Sequence, residues 1–235
     1  YFYGERILKH KIEKGPAAEK DAFVQMLLEI YDSRLQNYAS KTSIAETDID
    51  KAMLMSDEKM IDDEKMYGML NDAFGKDKKN FTNPKALYLY FSCLVDLHNE
   101  GKKELQEVFD VYDEVTTKIE DENDAITVKI GKLLPKEETG TLTSKEKRAL
   151  KSYNSYSENY GKIGGSIDSK LGVLADCGNL IPLYGKNFEA KKGDVEWVKG
   201  AVSRMFNKDC TDDDLFVKLV EAQKNLDPSA DIFVY

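Results

Sequence analysis

The chain has 235 residues, a third of them charged, and a net charge of −9 with lysines interleaved among the acids. That length allows a substantial core. The dispersed charge argues against a general nucleic-acid binder, which needs a clustered basic face, and no apolar run reaches the ~18 residues that span a bilayer.

A pool rich in Lys, Glu, Ala, Leu and Asp with only five prolines favours helix. Residues 1–14 read as the tail of a helix broken by Gly15-Pro16. Residues 21–38 form an amphipathic helix, with Phe23, Met26, Leu27, Ile30, Tyr31, Leu35 and Tyr38 at three- and four-residue steps. Short helices follow at 47–56 and 57–74, the second stopped by Gly75, and 76–80 reads as a polar loop. Asn83-Pro84 opens a hairpin: Leu87, Tyr90, Phe91, Leu94 and Val95 stripe its first helix, Gly101 turns the chain, and Leu105 to Ile119 stripe the second.

Residues 120–124 read as an acidic break, 125–134 as a short helix and 135–145 as the least structured stretch. One long helix then covers 144–176, with Gly164-Gly165 predicting a kink or a close helix crossing. Asp212, Asp213 and Asp214 precede an apolar stripe of Leu215, Phe216, Leu219, Val220 and Ala222, where carboxylates cap free N–H groups. Leu226-Asp227-Pro228 stops that helix, and residues 229–235 read as the start of the next.

This helix, its Leu-Asp-Pro stop and the restart resemble the tetratricopeptide repeat. Val220 stands where that repeat favours Phe or Tyr, and Phe216 and Gln223 where it favours alanine. YGERILKHKIE, ALYLYFSCLVDLHNEGKKELQEVFDVYDEVT and DCGNLIPLY…DCTDDDLFVKLVEA are similar to a family of Bacteroidota tetratricopeptide-repeat-like proteins. The resemblance implies a fold and an exported location, and no activity. The resulting expectation is all-α: a tetratricopeptide-like, right-handed solenoid of helical hairpins with one long helix. Residues 1–134 would hold hairpin repeats, 135–145 a loop, and 146–235 the long helix plus C-terminal repeat. Both ends read as cuts within a longer array.

Cys177 and Cys210, 33 residues apart at two helix boundaries, are either a disulfide or two separate buried thiols. The resemblance to an exported family favours the bond. Cys93, among Phe91, Leu94 and Val95, reads as a small buried hydrophobe. Met53, Met55, Met60, Met66 and Met69 crowd a short stretch; such methionines pack cores, line adaptable grooves or, with suitable spacing, bind Cu(I). Tyr153, Tyr156 and Tyr160 share a helix face and serve either core packing or a binding surface.

Catalytic and metal signatures are not legible. The two histidines, His10 and His98, form no HExxH, the acidic runs lack a calcium-loop pattern, and residues 161–166 lack the order of a phosphate loop. The expected function is a non-enzymatic scaffold, without cofactor or metal, that binds a protein or peptide partner in the periplasm or at the cell surface; a cytoplasmic location is the alternative. Tyr153, Tyr156, Tyr160, Met60, Met66 and Met69 are its candidate contacts, and a self-associating assembly subunit is the competing expectation.

Overall fold

Side-chain caps set most helix starts. Ser43, Asp62, Asn83, Asp176 and Asp213 stand in extended backbone and each accepts a hydrogen bond from an N–H of the following first turn. Thr143 and Glu146 satisfy one another's N–H groups in a full capping box. The computed structural model describes residues 2–38 and 41–227. In it the chain is all-α: α1 (Phe2–Lys14), α2 (Lys20–Tyr38), α3 (Ile44–Asp57), α4 (Asp63–Asp77), α5 (Pro84–Asn99), α6 (Leu105–Glu138), α7 (Ser144–Leu174), α8 (Cys177–Lys191), α9 (Val195–Asn207) and α10 (Asp214–Leu226). The helix expected over 229–235 lies outside the described residues.

Each helix from α1 to α6 packs on the next in sequence, and α5 also packs on α7. At the other end α8, α9 and α10 pack on one another. A small apolar cluster of Val24, Leu27, Leu28 and Tyr31 joins α2 to Leu8, Ile12, Leu54 and Met55. The main core is one continuous cluster running from Ala45 to Leu219, so residues 1–134 and 146–235 share it. Among the described residues no helix is long and apolar enough to cross a membrane.

Several sequence expectations are corrected. Met26 and Tyr38 are exposed, and Val24 and Leu28 take their places in the core, so the buried face of α2 is rotated from the predicted stripe. Residues 58–62 form a loop and α4 begins only at Asp63, then runs through Gly75 to Asp77. The Asp77 carboxylate gathers Ser43 Oγ at 2.9 Å, Ala45 N–H at 3.3 Å and Asn80 Nδ2 at 2.8 Å, which fixes the segment expected to be a solvated loop.

The largest correction concerns residues 120–138, which continue α6 into a single 34-residue helix. The acids do not break it because the apolar register persists through Ile119, Ile126 and Ile130. Glu122 pairs with Lys118 at 2.6 Å one turn earlier, and Asn123 accepts from Ser157 Oγ at 2.7 Å. Pro135 is tolerated in the last turn, since the carbonyl it deprives belongs to exposed Gly131 and faces water. The loop is therefore only residues 139–143, turned by Gly140 in the left-handed region (φ 67°). Two long helices exist where one was expected. Gly164 and Gly165 allow no close crossing, because a Cβ on either would meet nothing within 4 Å.

Lengths determine what projects. The sixteen residues of α5 span about 24 Å, against about 51 Å for α6 and about 46 Å for α7. The N-terminal end of α5 lies level with Lys118, whose Nζ donates to Lys79 O (3.1 Å), and with Tyr160, whose hydroxyl donates to Thr82 O (2.5 Å). Its far end is level with Lys170, which holds Asp96 at 2.9 Å. Residues 120–159 thus extend past α5 as a two-helix arm, held together by Ile126, Leu150 and Tyr153.

The tip of that arm carries a pH-dependent contact. Lys136 at 2.5 Å, then the Thr143 N–H and hydroxyl at 2.8 Å, hold the Glu146 carboxyl down at about 2. A carboxyl with a depressed folded pKa stabilises the fold above its unfolded value near 4.5, and that contribution disappears as pH falls toward 2. The expected result is that Glu146→Gln lowers the unfolding midpoint at pH 7 and that the difference from the parent shrinks between pH 4.5 and 2. An equal difference at both ends of that window, measured by thermal circular dichroism, would exclude this role.

Candidate functional site

The expected contact residues separate into different environments. Met66 (2 % exposed) and Tyr160 (1 % exposed) are core residues and are removed as partner contacts. Met53 and Met69 pack partly against the main core and Met55 against the N-terminal cluster, while Met60 stands exposed. The methionines therefore make no continuous groove. Tyr153 is half-buried beneath Lys129, whose Nζ lies 5.7 Å from its ring, and Tyr156 is exposed. Cys177 and Cys210 form a disulfide with a Cα–Cα distance of 5.5 Å. Cys93 is a buried free thiol, pushed up to about 12 by burial and by neighbouring Asp63 and Asp96. His98 Nδ1 lies 2.8 Å from Lys103 O in the α5–α6 turn.

Most of the tyrosine content serves helix packing. Tyr67 and Tyr90 stack at 5.6 Å, and their hydroxyls donate to Glu107 and Asn71, each at 2.8 Å. Burial raises both phenols, so they stay protonated donors.

A second buried constellation escaped the sequence reading. The Arg204 guanidinium lies 5.2 Å from the Phe109 ring and 5.4 Å from the Tyr112 ring, donates to Tyr184 Oη at 3.1 Å and pairs with Asp113. Burial lowers its pKa to about 10, which still leaves it charged at neutral pH. Tyr184 in turn packs edge-on against Trp197 at 5.5 Å. One cation thereby ties α6 to α8 and α9. The local hint is Gly200, one turn before Arg204: a Cβ there would lie 3.0 Å from Arg204 Nη1.

No protein family model, curated protein or solved structure matches this chain. Among the described residues no group of three or more His, Cys, Asp or Glu is placed to hold a metal ion. The arm is the distinctive feature. Residues 128–152 carry seven Lys and Arg against three Glu, net +4 within a chain of net −9. On the outward face of α7, Arg148, Lys151, Ser152, Ser155, Tyr156 and Asn159 line an open depression of about 470 Å³. Tyr156 is 44 % exposed there, beside two cations and three small polar side chains.

Proposed function

We propose that this chain is a non-enzymatic protein-interaction scaffold, tetratricopeptide-like in its successive antiparallel helices, that presents its arm to an acidic protein or peptide. The observation that carries this reading is the α7 depression. An exposed tyrosine set among Arg, Lys, Ser and Asn has the composition of a recognition surface, with a rigid aromatic contact and adaptable hydrogen-bonding neighbours. The tetratricopeptide likeness is supported by α1 to α5 and by α8 to α10. It does not extend to α6, whose 34 residues match the length of a whole repeat. The Cys177–Cys210 bond favours an oxidising compartment such as the periplasm or cell surface.

A photo-crosslinking residue placed at Tyr156 in cells that make the protein tests this. A discrete adduct is expected, absent when the same group replaces exposed Val217 on α10, and lost on Arg148→Glu with Lys151→Glu. Adducts that are the same from positions 156 and 217, or that survive the charge reversal, would refute the reading.

A further inference from the structure

The outward side of α6 along the arm is an exposed stripe that no other described helix covers: Asp121, Asp124, Ala125, Val128, Lys129 and Lys132 are all exposed. Val128 is 57 % exposed at the middle of this stripe, an apolar side chain between the two charged ends. Among the described residues none of Asp121, Asp124 and Lys132 has an ion-pair partner, and Lys129 lies over the Tyr153 ring at 5.7 Å. Positions 121, 124/125, 128 and 132 recur at three- and four-residue steps, so they form one line along the helix. That line is acidic at one end, apolar in the middle and basic at the other.

Such a stripe is complementary to its own reverse. Two copies of α6 laid antiparallel about a two-fold axis between residues 126 and 127 place Asp124 opposite Lys129, Asp121 opposite Lys132 and Ala125 opposite Val128. The symmetry makes every pairing occur twice, as an isologous contact requires. We infer that this face pairs with a second copy of the same chain, through an antiparallel α6–α6 contact whose centre is the two symmetry-related Ala125–Val128 pairs. Charge complementarity selects this occupant. A foreign acidic partner would satisfy the lysines and be repelled by Asp121 and Asp124, whereas a second copy satisfies both ends. The contact is short, smaller than a standard interface, so a weak dimer with Kd on the order of 10–100 μM is expected. Its ion pairs are exposed, so it weakens in salt.

Sedimentation equilibrium of the full chain at low and at high salt reads this directly. The parent should move from 26.7 kDa toward twice that mass as concentration rises, and at least tenfold more protein should be needed in ~0.5 M salt. Asp121→Lys with Asp124→Lys should be monomeric, as should Lys129→Asp with Lys132→Asp, and an equimolar mixture of the two should recover the dimer. Recovery requires both variants to be folded; should either fail, Asp121→Asn with Asp124→Asn is used and should also weaken association. A parent that stays monomeric at ~1 mM, a dimer indifferent to both reversals, or reversals not rescued by mixing would each overturn the inference. So would a monomer that sediments with phosphatidylglycerol vesicles and loses this on Lys129→Asp with Lys132→Asp, which would assign the lysines to an anionic surface.

Discussion

Reduction of the Cys177–Cys210 bond is expected to lower the stability of the protein by about 4 kcal/mol and its thermal midpoint by roughly 8–15 °C. The bond joins residues 33 apart and encloses all of α8 and α9. Chain-entropy reasoning makes closure of a loop of that size worth about 4 kcal/mol through the unfolded state. The folded state changes little, because α8, α9 and α10 still pack on one another and Arg204 still holds Tyr184 after the bond is cut. Differential scanning calorimetry with and without reductant, together with a Cys177→Ala, Cys210→Ala protein, checks the magnitude. A shift below ~2 °C in both would show that packing alone holds this end.

Arg204→Ala is expected to cost about 3 kcal/mol, comparable to truncating a large core side chain. Two aromatic rings and the Tyr184 hydroxyl lose their partner, and Asp113 loses its counter-charge. Asp113 is half-exposed, so water recovers part of that last loss. Arg204→Met separates packing from charge. It keeps a long apolar stem between Phe109 and Tyr112, and a buried cation replaced by an apolar group of similar volume is often close to neutral. Methionine should therefore cost less than half of what alanine does in urea denaturation. Equal losses would mean that the guanidinium's polar contacts, and not the volume it fills, hold α6 to α9.

Helices were legible wherever an apolar stripe ran between a capping residue and a breaker, as in α5 from Asn83 to Gly101. The reading failed where local punctuation and periodicity disagreed. Acids at 120–124 and Pro135 look like stops, yet Ile119, Ile126 and Ile130 keep one register through them, and burial against α7 outweighs the local signals. Gly75 misled in the same way. For the candidate contacts, periodicity locates an apolar face but cannot decide whether a tyrosine or methionine on it meets a helix or water. Tyr160 and Tyr156 are one turn apart; only the level at which α5 ends makes the first a core residue and the second a surface one. Arg204 was invisible because nothing local distinguishes it from the other cations at helix ends, except Gly200 beneath it. The self-complementary stripe on α6 can be seen only once that helix is known to be continuous.

The packing order also governs how the chain comes together during synthesis. From α1 to α6, each helix finds its partner in the segment made just before it, so the early contacts close short loops at small entropic cost. The first exception is α7, which must fold back along α6 and reach α5 across it. Until then α6 presents Ile126 and Ile130 to solvent along a helix too long for its neighbour to cover. The growing polypeptide is thus most exposed to misassociation between the completion of α6 and the arrival of Tyr160 at Thr82, a window that the five-residue turn at 139–143 keeps brief.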